Sequence, residues 1–410
     1  MLARLAHQVT ARPRAVLLGA VAFLILAGTF GGPVAGLLST GDDFQDPGAQ
    51  SVAATQRLER AGGAEPSPTI LVLVRSGDRA AVERARVRLD GVEGIARTAV
   101  DTSGDGGSAY VAAFLAADAD AEETTQRVAA AFEGDPAVTL GGGQFTQEAI
   151  GEQVSSDLAR AELLAFPILF VLSLLIFRGF VAALLPLGVG ALTIMGTFLG
   201  LRVVNEATLL SIFALNLTIG LGLGLAIDYT LFIVSRFREE LGHGLQPRAA
   251  VARTMRTAGR TVLFSALTVA AALLALLVFP QRFLYSMGIA GGLAALIAMV
   301  VSLTALPAVL ALLGHRIGVP APSRERGFWA RWTRGVMRRP GLVAAATAAV
   351  LVVAGLPFLG VNWVGVDASV LPASAAPRVV EETLRADFAG AGTPPVTVAL
   401  GAGEERADEV

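Results

Sequence analysis

Two adjacent residues, Asp228 and Tyr229, carry the most chemistry in this 410-residue chain. They lie in GLGLGLAIDYTLFIVSRFREE, with long apolar runs on either side. Arg236 follows Asp228 by eight positions, roughly 12 Å along a helix axis. The acid is therefore expected inside a membrane span, nearer its arginine end than its middle. An acid at bilayer depth costs on the order of 2.5–3.5 kcal/mol on insertion scales, and such residues usually move ions or protons. Close approach of a neighbouring helix would desolvate the carboxylate and raise its pKa to where protonation can cycle. Tyr229 offers a hydroxyl for a relay, or an interfacial anchor. The competing structural reading is that Asp228 only pairs within the bundle, for instance with Arg236.

Other residues are expected to support that pair. Gly220, Gly222 and Gly224 form a Gly-x-Gly-x-Gly. No strand precedes it, so it reads as small-residue helix packing rather than a nucleotide loop. Thr261, Ser265 and Thr268 recur at i, i+4 and i+7 on one face of a later span. They could bond the acid or line a wet path, or could bond back to their own helix. Asn216 and Thr218 are weaker polar candidates. His7, His243 and His315 show no metal-ligand spacing, and there is no cysteine, so no metal site or disulfide is expected. No cofactor loop or nucleophile–base pair appears, and the chain is not read as an enzyme.

The elements that hold these residues follow from hydropathy. The chain is 54% hydrophobic and 16% charged, with mean hydropathy +0.63, and several apolar runs exceed 18 residues, so it is polytopic. Residues 1–38 comprise a short basic N-terminus and a first span, read as uncleaved because its apolar stretch is too long for a signal peptide. Residues 39–158 form a soluble domain. Within 39–157 there are 20 acids and nine arginines, a formal charge of 9 − 20 = −11. That acidity argues against nucleic acid as a partner. The pattern predicts helices at 49–60, 78–89 and 120–132, and strands at 69–75, 94–100, 108–115 and 137–140. After the first helix the order is βαββαβ, a ferredoxin-like α+β arrangement.

Residues 159–314 carry spans two to six, 315–340 form a basic loop, and 341–360 a seventh span. Residues 236–260 hold six arginines against two glutamates, and 314–340 seven against one. The opposite loops, 202–206 and 280–283, hold one arginine each. The bias places the N-terminus and basic loops in the cytoplasm and 39–158 outside a cell membrane.

The chain also repeats itself. Pro13 and Pro340, each just before a span, are 327 positions apart. Both spans are followed by acids, a proline and a helix. The expected helix at 378–388 and strand at 396–400 repeat the first half, and 403–410 (GEERADEV) matches the start of the 78–89 helix. Residues 361–410 thus read as the start of a second outer domain. A duplicated half predicts about 300 further residues and five more spans, so the chain reads as a fragment.

AIDYTLFIVSRFREE, the arginine-rich loop, GRTVLFSALTV and LPAVLALLG together resemble the MMPL family, the large mycobacterial-type membrane proteins of the resistance-nodulation-division (RND) superfamily. The resemblance covers the whole chain. It implies an RND-type helix bundle with an inserted extracytoplasmic porter-like domain, and export of lipids, hydrophobic metabolites or antibiotics driven by the proton-motive force. It implies Asp228 and Tyr229 as a proton-relay pair. It also implies a second Asp-Tyr pair in the other half, near position 555 on the repeat spacing of about 327, carried by a missing half or partner chain. Membrane lipids, a hydrophobic substrate and protons are the implied partners. The alternative is a lipid-sensing or regulatory membrane protein, or an inactive remnant, because spans two to six resemble the superfamily's sterol-sensing bundle. A sensor has no need of a titrating acid.

Overall fold

The structure, a computed structural model, describes residues 2–39, 43–75, 78–104, 106–177, 179–317, 328–361 and 367–388. In chain order its elements begin with α1 (Leu2–Ala11), α2 (Pro13–Gly31) and α3 (Gln50–Gly62). Then come β1 (Ile70–Val74), α4 (Arg79–Asp90), β2 (Ile95–Thr102), β3 (Ala109–Leu115), α5 (Ala121–Ala131) and β4 (Val138–Gly141). Long helices follow: α6 (Gly143–Phe177), α7 (Phe180–Asn205), α8 (Phe213–Gly242), the short α9 (Pro247–Arg256), α10 (Ala258–Leu274) and α11 (Arg282–Leu313). The last are α12 (Phe328–Arg338), α13 (Pro340–Gly355) and α14 (Ala376–Asp387). The expected strand at 396–400 and the 403–410 match lie outside the described residues.

Seven helices among the described residues are long and apolar enough to cross a membrane: α2 with its extension to Leu37, α6, α7, α8, α10, α11 and α13. The chain is a multi-pass membrane protein. The bundle core joins Leu185 and Val189 of α7, Ala226, Ile233 and Phe237 of α8, and Ala298, Leu306 and Leu310 of α11. Hydrocarbon offers no hydrophobic drive between helices, so close backbone approach has to hold them together. The chain supplies it with small residues. Ala290, Ala294, Ala295 and Ala298 of α11 are fully buried. A Cβ on Gly31 would stand 2.6 Å from the backbone nitrogen of Leu199, so α2 and α7 cross backbone to backbone. By contrast, α13 buries no residue.

Outside the bundle, the four strands form an antiparallel sheet in the order β2-β3-β1-β4, crossed by α4 and α5. Successive side chains of a strand point to opposite faces. In β1, Ile70, Val72 and Val74 face Val82, Ala85 and Leu89 of α4 and Val128 of α5. Leu71 and Leu73 face the other way, onto Val380 and Leu384 of α14 and onto Phe388. Gly141 lets α14 come close: a Cβ there would lie 2.7 Å from that of Val380. Asp78 and Asp120 cap α4 and α5, accepting from the amides of Ala80 (3.1 Å) and Glu123 (2.8 Å). The helix that the repeat assigns to a second outer domain thus covers the open face of the first sheet.

The second span continues without a break from the end of the sheet. Helix α6 runs unbroken for 35 residues. Its apolar window is only the C-terminal part, and 143–160 contain no proline or late glycine pair that would break the polar part away from it.

A polar clasp ties the exit of the first span to the bundle. The amide of Ser39 donates to the Leu210 carbonyl at 2.8 Å, and the amide of Ile212 to the Ser39 carbonyl at 3.0 Å. Asp43 is 2% exposed, accepts from the Ser211 hydroxyl at 2.5 Å and pairs with Arg282 at 3.6 Å. Phe44 packs on Phe213 and Phe283, with ring centroids 5.6 and 4.9 Å away. Removing one partner of a buried ion pair is strongly destabilising. Asp43→Ala and Arg282→Ala are each expected to lower the thermal midpoint of the purified protein. The double variant should lose less than the sum, by about 0.5–3 kcal/mol of coupling. Strict additivity would show that the two residues act separately.

Candidate functional site

Helix α8 carries two stripes of the same pitch. Its buried stripe runs through Ala214, Thr218, Gly222, Ala226, Tyr229, Ile233, Phe237 and Glu240. The other runs through Gly220, Gly224, Asp228, Phe232, Ser235 and Glu239, which this chain leaves uncovered. Both follow from 3.6 residues per turn, which returns every third or fourth residue to one face. Asp228 and Tyr229 are successive, hence about 100° apart round the axis. One side chain looks out of the bundle and the other into it.

Asp228 stands half-way along α8 and makes no hydrogen bond or ion pair with the described residues. Pairing with Arg236 is not what the structure shows. Arg236 instead binds Glu239 at 2.7 Å and Glu240 at 2.6 Å. Glu240 is fully buried and is also held by Arg253 of α9 at 3.2 Å, with the His243 ring at 3.8 Å. Arg238 donates to the Phe177 carbonyl at the end of α6, at 3.0 Å. The arginine end of α8 is thus pinned to its neighbours while the acid further along is left unpaired. The Glu240 anchor was not foreseen in the sequence. Its only signal was the i, i+4 spacing of Arg236 and Glu240.

Tyr229 is 5% exposed, and its hydroxyl is buried without a hydrogen bond. The Ser265 hydroxyl of α10 is within reach of it as a hydrogen-bonding neighbour, though not in the geometry of a formed bond, and the Asp228 charge acts on it. Ser265 lies on an uncovered face of α10 with Thr261, Phe264 and Thr268. The Thr268 hydroxyl donates to the Phe264 carbonyl of its own helix at 2.9 Å, so it is not directed at the acid. Thr218 is back-bonded in the same way to Ala214, at 2.9 Å.

The three glycines divide between the stripes. A Cβ on Gly222 would meet Thr193 at 3.4 Å and Ile194 at 3.7 Å, whereas Gly220 and Gly224 have nothing within 4 Å. Close approach of another helix at Gly224, expected to desolvate Asp228, is not made among the described residues. No group of three acids, histidines or cysteines that could hold a metal ion occurs among the described residues.

Two cavities lie away from this face. One, of about 470 Å³, is apolar and is formed by α2, α7 and α11, with Leu24, Leu192 and Leu306 in its wall. The other, of about 430 Å³, lies at the foot of the outer domain beside Glu122, Glu148 and Glu152. Burial, then the charges of Glu152 and Glu122, hold the Glu148 carboxyl above the usual carboxylate range.

The sequence pattern of the MMPL family matches residues 43–343. A Streptomyces coelicolor membrane protein, SCO6666, is 39% identical across 99% of this chain and 61% of its own length. The trehalose monomycolate exporter MmpL3 of Mycolicibacterium smegmatis is 36% identical over 60% of this chain and 28% of its own. The heme uptake protein MmpL11 of Mycobacterium tuberculosis is 36% identical over 49% of this chain and 22% of its own. The chain therefore spans at most about three fifths of the length of these relatives.

The two stripes make a direct test. Leu at 222 overpacks a filled seam, which costs about 1–3 kcal/mol. Leu at 224 enters open space and gains helix propensity over Gly. Gly222→Leu should lower the thermal midpoint in detergent, and Gly224→Leu should hold or slightly raise it. Equal losses would contradict this assignment of faces.

Proposed function

The chain belongs to the MMPL family, and from that premise we propose that it is the first part of a proton-driven exporter of lipids or other hydrophobic compounds. MMPL proteins are transporters, and the relatives include a trehalose monomycolate exporter and a heme uptake protein. The observation that carries the reading is the position of Asp228: half-way along a membrane helix, unpaired, and on a stripe that this chain does not cover.

In this proposal Asp228 takes up and releases the proton. Tyr229, buried beside it and facing Ser265, passes it on or holds it. Thr261 gives the path a further polar edge. A second Asp-Tyr pair, on another half or a partner chain, would meet the open stripe, with Gly220 and Gly224 admitting its helix closely. Protonation removes a charge from that contact, changes the pairing and shifts α8 against its partner.

The βαββαβ domain, as a ferredoxin-like porter domain, would convert that shift into movement of substrate. The arginine bias of the loops supports a cytoplasmic N-terminus and this domain on the outer side. The acidity of 39–157 accords with that side.

In the complete protein, Asp228→Asn, which keeps the size of the side chain and removes its charge, is expected to abolish export while leaving expression unchanged. Tyr229→Phe should cut transport by tenfold or more, since a placed proton-transfer group contributes about 10²–10⁴-fold. Substrate efflux from proteoliposomes under an imposed pH gradient reads both. Full transport by Asp228→Asn would overturn the relay.

A further inference from the structure

We infer that α12 is a binding site for anionic phospholipid headgroups, lying on the membrane surface at the entry to the seventh span. The inner-leaflet placement rests on the orientation given above; the lipid preference does not.

The geometry leaves α12 nowhere else to go. It ends at Arg338, and α13 begins at Pro340, so a single residue, Arg339, separates it from a membrane span. One residue reaches at most about 3.6 Å. The end of α12 must therefore lie at the boundary between hydrocarbon and water. Six spans separate it from the N-terminus, which puts both on the same side.

Its sequence, FWARWTRGVMR, has two faces. Phe328, Trp332 and Val336 recur at intervals of four on one. Arg331, Arg334 and Arg338 recur at i, i+3 and i+7 on another, and Arg339 follows directly after the helix. The helix contains no acid. None of these four arginines forms an ion pair among the described residues. The rings of Phe328 and Trp332 stack with centroids 6.1 Å apart, and each residue is 61% exposed. An apolar aromatic face opposite a row of arginines is the composition of a helix that lies in the interface plane of an anionic membrane. The aromatic rings sit at headgroup depth, and the guanidiniums reach phosphate from their apolar stems.

Two of the three tryptophans, Trp329 and Trp332, fall in this helix. The whole chain, carrying Trp363→Phe so that emission comes from α12, would be placed in nanodiscs of phosphatidylcholine with a minor share of brominated lipid. The brominated lipid is either phosphatidylglycerol or phosphatidylcholine. Quenching is expected to be stronger from the anionic lipid at equal mole fraction. The preference should fall as salt is raised, because exposed charges are screened. Arg331→Gln with Arg334→Gln and Arg338→Gln should cut it by about tenfold or more. Free glycerol phosphate should not compete.

Equal quenching by both lipids would overturn the proposal, leaving a seat without headgroup selectivity. Absence of quenching from either would place α12 off the membrane and also overturn it. Displacement by free glycerol phosphate would point to a soluble ligand instead. Should the triple variant fail to fold, the salt dependence of the unsubstituted arginines decides. Both leaflets of a nanodisc have the same lipids, so a wrong orientation would leave the outcome unchanged.

Discussion

The rest of the molecule is arranged round the two stripes of α8. One is buried in small and apolar side chains from α7, α10 and α11, and its fit fixes how the bundle packs. The other leaves a carboxylate uncovered half-way along the helix. Inserting that acid works against the bundle by about 2.5–3.5 kcal/mol. Packing on the buried stripe has to outweigh it, and removing one buried large side chain typically costs 2–5 kcal/mol. The cost is tolerable because it is local. Within the span the helix satisfies its own backbone amides and carbonyls away from its two ends. Among the described residues of α8, Asp228 is the carboxylate at that depth without a partner, with Tyr229 turned inward beside it.

Both ends of α8 are tied down. At the arginine end, Glu240 is clamped by Arg236 and Arg253, and Arg238 reaches the end of α6. At the other end, Ser211 and Phe213 belong to the clasp with Asp43, Phe44 and Arg282. That clasp holds the strand of chain leaving the first span for the outer domain. Helix α6 then joins the same domain to the membrane as one continuous rod. A shift of α8 is therefore not absorbed in loose loops. Under the proposed relay it would act on the outer domain through the clasp and through α6.

How much of this could be read from the sequence depended on the kind of signal. All seven membrane helices were legible, because an apolar run of span length has few other uses. The strands were legible from β-branched alternation: TILVLVR places Ile70–Val74 within one residue at each end. The two faces of α8 were not, since a helix apolar all round gives no periodicity to separate a bundle-facing stripe from an open one. For the same reason Gly222 and Gly224 looked alike in sequence and differ in the structure. The amphipathic helices α9 and α12 were hidden inside stretches read as basic loops, where arginine count masked the spacing of Ala250, Val251, Thr254 and Met255. The clasp was invisible because Asp43 and Arg282 are far apart in the chain and each sits among ordinary turn residues.

The internal repeat bears on what the uncovered surfaces mean. Shifted by 327 positions, α3 (Gln50–Gly62) falls on α14 (Ala376–Asp387). On the repeat read from the sequence the two helices would hold equivalent places, yet they are buried differently. α14 buries Pro377, Val380 and Leu384 against the first sheet, while α3 buries nothing. A 13-residue helix of low intrinsic apolarity draws most of its stability from packing, so α3 is the member of the pair without its support. Asp228 is in the same position within the membrane: one stripe satisfied, the other open. Two unrelated physical criteria, burial of a helix outside the bundle and pairing of a carboxylate inside it, thus point the same way. Both support the proposal that a second half faces this one, with α3 laid on its sheet as α14 is laid on the first and with its own acid opposite Asp228.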